Sequence, residues 1–112
     1  MAVVDNFHRV RVLCVGDVML DRFVYGAVRR ISPESPVPVL SVQGTETVPG
    51  GAANVARNIA ALGGRCTLVG VVGDDAAGRE LGRMVDAIDG VAAALVSSAD
   101  RPTTEKVRYT AQ

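Results

Sequence analysis

Aromatic side chains are scarce in this sequence: it has no Trp, and two Tyr and two Phe make up 4% of its 112 residues. With 48% hydrophobic content, any core must be aliphatic, and a chain of this length suffices for one small domain but not for two. Cysteine is also sparse. Cys14 and Cys66 lie inside the apolar runs V-R-V-L-C-V and C-T-L-V, with no C-x-x-C or Cys/His spacing. That pattern argues for two buried free thiols and against a disulfide or a metal site. Net charge is absent, because twelve basic residues balance twelve acidic ones. Nothing therefore points to nucleic acid or an anionic membrane, and the expected partner is a small molecule. No apolar stretch approaches the length of a membrane span, and the N-terminus carries Asp5, His8, Arg9 and Arg11 rather than a signal-peptide plan. The expected location is the cytoplasm. Two phosphate-binding motifs are missing as well, since there is neither a G-x-x-x-x-G-K-[ST] run nor a G-x-G-x-x-G after the first strand.

What the sequence does have is concentrated between Pro49 and Gly73, P-G-G-A-A-N-V-A-R-N-I-A-A-L-G-G-R-C-T-L-V-G-V-V-G. Gly50 and Gly51 lack a Cβ, so a ligand can approach their backbone closely. Ala52, Val55, Ala56, Ile59, Ala60 and Gly63 then recur at helical spacing, and Gly63-Gly64 form a C-terminal stop. A helix starting there aims free N–H groups and its positive dipole end at whatever sits over the two glycines. Asn54 falls in the first turn, where its amide suits a sugar hydroxyl that donates and accepts at once. The plainer reading is a connecting loop followed by a helix that Asn54 caps.

The remaining elements alternate in the manner of an α/β protein. Val10 to Val15 reads as a buried parallel strand ending at Gly16-Asp17. Ligands of open α/β sheets bind beyond the carboxyl ends of such strands, which places G-D-V-M-L-D, residues 16–21, at a candidate site. Asp17 either belongs to it or only shapes the loop through an Asx-type turn. Arg22 to Arg29 and Val37 to Val48 read as two further strands, with Pro36 and Pro38 marking the second as an edge strand or flap. Cys66 to Val72 is the next buried strand. Asp74 or Asp75 caps a helix starting near Ala76, with Leu81, Met84, Val85 and Ile88 as its apolar stripe. Gly78 and Gly82 allow that helix to pack closely on a sheet, and Arg79, Glu80 and Arg83 are expected on its solvated face. After a strand-like V-A-A-A-L-V, the segment R-P-T-T-E-K-V-R-Y-T-A-Q places Thr104, Lys106 and Arg108 on one face if extended. That face either binds a phosphate or is an ordinary solvated strand surface.

Gly50, Gly51, Asn54, Ala56, Gly63 and Gly73 resemble, at every position, the first signature of the ribokinase (PfkB-type) carbohydrate kinases. The resemblance implies the N-terminal portion of a ribokinase-like three-layer α/β fold, spanning residues 1–112, with a small β-lid inserted at about 22–48 and the sugar-binding signature at 49–73. It implies substrate-binding roles for Asp17, Asp21, Gly50, Gly51 and Asn54, with the Asp21 carboxylate holding sugar hydroxyls. The wording R-I-S-P-E-S-P-V-P-V after G-D-V-M-L-D-R, and R-P-T-T-x-K further on, is similar to the branch that phosphorylates D-glycero-β-D-manno-heptose 7-phosphate at carbon 1 for lipopolysaccharide cores. In that branch Lys106 and Arg108 would take the 7-phosphate. ATP and Mg²⁺ are the implied cofactors of the complete enzyme, and a homodimer through the lid is the implied assembly. The family's second signature, a D-T-x-G-A-G-D type run with the catalytic aspartate, is absent from the sequence. The chain is therefore expected to supply only the sugar-binding and lid half, to be inactive alone, and to hold neither ATP nor a metal tightly. The other readings are a non-catalytic association module and a different sugar kinase of the same family.

Overall fold

The computed structural model describes residues 3–112, and its first element is a 3₁₀ segment, Val3–Arg9, with no buried residue. The strands and helices then follow as β1 (Arg11–Val15), β2 (Val18–Ile31), β3 (Pro38–Gly51), α1 (Ala52–Ala61), β4 (Arg65–Gly73), α2 (Ala76–Asp86), β5 (Val91–Ser98) and β6 (Glu105–Ala111). They form two three-stranded sheets. The body sheet has the order β1-β4-β5 and is wholly parallel. The other sheet, named the lid sheet after the lid expected at residues 22–48, has the order β3-β2-β6, antiparallel between β2 and β3 and parallel between β2 and β6. The Cα radius of gyration, 17.9 Å, exceeds the roughly 13 Å of a rounded domain of this length, because the long β2–β3 hairpin extends away from the body.

One aliphatic core joins the two sheets. Leu68, Cys66 and Val72 of β4 meet Ala53 and Ala56 of α1, Leu81 and Val85 of α2, and Val18 and Leu20 at the root of β2. Each fully buried leucine contributes about 1.5–3 kcal/mol from removal of apolar surface from water. Helix α1 turns a seam of small residues to the sheet: Ala53 and Ala56 are buried, whereas Val55, expected on that face, is exposed. Small side chains let the helix approach closely, and the periodicity alone did not distinguish them from the larger valine. The glycine stop is as expected. Gly63 has φ +98°, and the N–H groups of Gly63 and Gly64 donate to Ala60 and Ile59, closing the last turn.

Three expectations need correction. Val10 to Val15 is not buried on both faces: Leu13 and Val15 are 66% and 68% exposed, because both helices lie on the opposite face of the body sheet. Two of the three expected layers are thus present among the described residues. The lid strands are longer than their apolar runs suggested, beginning at Val18 and ending at Gly51, and β6 adds a third strand. Backbone pairing across the hairpin carries β2 through polar residues that interrupt the hydrophobic pattern. Finally, Gly82 has nothing near the place of a Cβ, while Gly78 does pack closely, against Gly73 and Thr103. The proline reasoning holds, for Pro38 opens β3 and β3 is an edge strand.

Candidate functional site

Gly16 and Asp17 carry the chain from the body sheet into the lid sheet, and the site forms around that crossing. The Gly16 N–H donates to Val69 on β4, and the Asp17 carbonyl accepts the first N–H of α1, that of Ala52, at 2.8 Å. Gly51 is the residue before α1, with φ +60° and ψ −132°, and no side chain caps the helix. A Cβ there would run into the Asp17 carbonyl, so glycine is required twice over, by conformation and by space. Gly50 and Gly51 are consequently the last two residues of a strand, paired with Met19 and Val18, and not a free loop. Gly50 does not have positive φ; its reason is close approach.

That approach is made by Asp21. A Cβ on Gly50 would lie 2.5 Å from Asp21 Oδ2 and 2.7 Å from Cγ. The carboxylate therefore rests on the bare backbone of the neighbouring strand. Its Oδ1 is buried and accepts no hydrogen bond from any described residue. A buried carboxylate oxygen without a donor is costly, on the order of 1–3 kcal/mol, and such an atom is a ready acceptor for a ligand hydroxyl. Asp21 lies within β2 and not in a loop, so its direction is fixed by pairing on both sides, with Val48 on β3 and Lys106 on β6.

The same pairing settles which residues share a face. Lys106 stands beside Asp21, and Arg108 beside Phe23, with the Arg108 guanidinium 5.8 Å from the centre of the Phe23 ring. Asp21, Gly50, Lys106 and Arg108 are thus brought to one face of the lid sheet. Asn54 is half-buried in the first turn of α1, and its Oδ1 accepts from Arg57 Nη2 at 2.7 Å. It does not cap the helix. Since arginine only donates, the carbonyl end of Asn54 is occupied and its NH₂ group is left to donate. Asp17 is exposed, and its side chain makes no Asx-type bond. It lines a cavity of about 250 Å³ with Gly16, Gly70, Val71 and Arg101 at the carboxyl ends of the body strands.

Two polar clusters lie outside this face; the sequence reading anticipated Asp75 as a helix cap in one of them and neither network of partners. Glu80, expected in solvent, receives both arms of Arg22: Nη2 donates to Oε2 at 2.9 Å and Nη1 to Oε1 at 3.4 Å. Arg22 Nε also donates to Glu105 at 2.8 Å, and Nη1 to Thr47 Oγ1 at 3.2 Å. Hydrogen bonds to Glu80 and then to Glu105 raise the Arg22 pKa above its usual value. At the other cluster, Asp75 caps α2 by accepting from the Gly78 N–H, and it also accepts from the N–H and hydroxyl of Thr103. The Thr103 hydroxyl in turn accepts from Gly73 N–H at 2.8 Å. These bonds, led by the Thr103 hydroxyl, lower the Asp75 pKa. The Gly73 N–H is thus taken by Thr103. A pair of adjacent acidic residues before a helix was the only sequence signal for this cluster.

Comparison with known proteins places this fold in a family. The family model described as pfkB family carbohydrate kinase matches residues 10–111. The bifunctional protein HldE of Caulobacter sp. (strain K31) is 62% identical over 103 residues, which are 92% of this chain and 21% of that protein. HldE of Rhodopseudomonas palustris (strain BisB18) is 58% identical over 108 residues, 96% of this chain and 22% of that one. The chain thus spans about a fifth of the length of these relatives. Among solved structures, Escherichia coli phosphofructokinase-2 in complex with fructose-6-phosphate superimposes with a TM-score of 0.69 at 28% identity, over 92% of this chain and 31% of that one. Cryptococcus neoformans ribokinase in complex with ADP gives 0.65 at 30% identity, over 91% and 31%.

Proposed function

The chain belongs to the pfkB family of carbohydrate kinases, and from that premise we propose that it forms the lid and sugar-binding part of a cytoplasmic, ATP-dependent kinase. Its proposed substrate is D-glycero-β-D-manno-heptose 7-phosphate, phosphorylated at carbon 1 on the way to ADP-heptose and lipopolysaccharide cores. The observation that carries the reading is the buried, unpartnered Oδ1 of Asp21, held over Gly50 with Lys106 beside it. A sugar offers hydroxyls to that oxygen, and its non-transferred phosphate offers charge to Lys106 and Arg108.

Each residue has a role in this reading. Asp21 accepts from ring hydroxyls. The Asn54 NH₂ group donates to another, with the Gly50-Gly51 backbone forming the floor and Asp17 the rim. Lys106 and Arg108 bind the 7-phosphate through charge-assisted hydrogen bonds, with Arg108 steadied against Phe23. Together they position the acceptor, one of the main contributions to phosphoryl transfer. ATP supplies the transferred group and Mg²⁺ offsets its charge in reactions of this class. Among the described residues no three His, Cys, Asp or Glu side chains converge where an ion could sit, and no residue of this chain is assigned to the ion. The catalytic base is likewise assigned to residues outside this sequence.

Association through the lid is part of the proposal. Val28, Ile31, Val37 and Val42 leave large apolar side chains exposed on the outer hairpin, a surface suited to a second copy.

The test is a chimera in which this chain replaces the matching segment of the Caulobacter sp. (strain K31) relative. It should phosphorylate heptose 7-phosphate, and Lys106→Gln with Arg108→Gln should erase the preference for heptose 7-phosphate over heptose in kcat/KM. An unchanged preference returns both residues to an ordinary strand surface and leaves another pfkB-type sugar kinase as the better reading.

A further inference from the structure

Asp21 and Arg22 are neighbours on β2 and point to opposite faces of the lid sheet. Asp21 faces the proposed sugar. Arg22 faces the body, where it touches three elements at once: Thr47 on β3, Glu105 on β6 and Glu80 on α2. The start of helix α2 is itself tied to the segment that leads into β6 by the Asp75–Thr103 bonds. Beside the aliphatic core at the root of β2, α2 thus makes polar contacts with the lid sheet and with the segment that enters it, and among the described residues only the Arg22 contact reaches all three lid strands.

We propose that Arg22 is a positioning residue: with Glu80 it clamps the lid sheet to α2 and so sets the height of Asp21 over the sugar. Planar, two-pronged pairing resists rotation as well as separation, which a single lysine contact does not. The pair is also partly shielded, with side-chain exposures of 25% for Arg22 and 34% for Glu80, so solvent and salt weaken it less than a surface pair. Because the clamp acts on the lid as a body, loosening it changes where Asp21 sits without altering Asp21 itself. The inference rests on the reading of Asp21 as a sugar ligand.

The chimera described above serves again. Glu80→Gln, which keeps the shape of the side chain and removes its charge, should raise KM for the sugar phosphate about five- to tenfold. KM for ATP should change less than twofold, and the melting temperature should stay close to that of the parent. Arg22→Gln should match that effect, and Arg22→Lys should recover only part of it. Spin labels at Ser35→Cys on the lid tip and Asp86→Cys at the end of α2 report the lid angle without any substrate. The parent should give a narrow distance distribution, and Glu80→Gln a broad one. An unchanged distribution overturns the clamp whatever sugar the enzyme uses. A broadened distribution with unchanged sugar KM overturns its link to Asp21. If the parent chimera ignores heptose 7-phosphate but accepts another sugar, the substrate assignment fails while the same two readouts, made with that sugar, still judge the clamp.

Discussion

Replacing Gly50 by Ala isolates the contact on which the sugar site depends. The backbone of Gly50 is not in the positive-φ region, so alanine meets no conformational penalty there, and its whole effect must pass through space. The new methyl carbon would lie 2.5 Å from Asp21 Oδ2, 2.7 Å from Cγ and 3.0 Å from Oδ1. An ordinary contact is close to 3.5 Å or more, so the carboxylate must withdraw by about 1 Å or leave its rotamer. Leaving the rotamer costs about 0.5–1.5 kcal/mol and overpacking typically about 1–3 kcal/mol. Either way Asp21 is no longer aimed at the ligand. Titration calorimetry on the chimera should show Gly50→Ala weakening sugar phosphate binding by about ten- to a hundredfold, comparable with Asp21→Ala, while ATP binding is nearly unchanged. The decisive measurement is the double variant. If the methyl acts only by displacing the carboxylate, Gly50→Ala adds little once Asp21 is already alanine. Additive losses would refute the argument and assign Gly50 a direct contact with the sugar.

How far the site was legible in the sequence depended on the kind of signal each residue carries. Gly51 and the helix behind it were readable because a positive φ and a helical stop leave residue-specific marks. Asp21, Lys106 and Arg108 were singled out individually, through resemblance and alternation, but their meeting on one face was not legible. That follows from the parallel pairing of β2 with β6, a contact between segments more than eighty residues apart that no local pattern encodes. Glu80 was misjudged for the same reason, and Arg22 carried no local mark of its partners. Glu80 lies among charged residues on a helix whose apolar stripe is elsewhere, so periodicity sends it to solvent. Only the return of the lid strand over α2 supplies its partner. The exposed face of β1 was misread in the opposite sense: its apolar side chains announce burial, yet both helices of this chain pack on the other side.

Further outcomes can be tested on the Thr103 cluster. Thr103 is 5% exposed, and Thr103→Val preserves its shape while leaving the Gly73 N–H and Asp75 without a hydroxyl. The chimera should lose about 1–3 kcal/mol of stability, whereas Thr103→Ser should stay close to the parent in thermal unfolding. Equal melting temperatures for the valine and serine variants would show that the hydroxyl is dispensable. Asp75 makes the pH dependence of the same cluster predictable. Its folded-state pKa is lowered, by the Thr103 hydroxyl first and then by the N–H groups of Thr103 and Gly78. A group of that kind binds its proton more readily when unfolded, near the ordinary aspartate value of about 3.9. Its stabilisation is therefore complete above that pH and is lost as the pH falls through the lower folded value. Asp75→Asn removes this linkage, because the amide does not titrate. Melting temperatures recorded from pH 6 down to pH 3 should fall less steeply for Asp75→Asn than for the parent, with the two curves converging at the acid end. Parallel curves across the whole range would mean that Asp75 holds Thr103 equally well with its proton on, and that the charge of the carboxylate contributes nothing to fixing Thr103 at the start of α2.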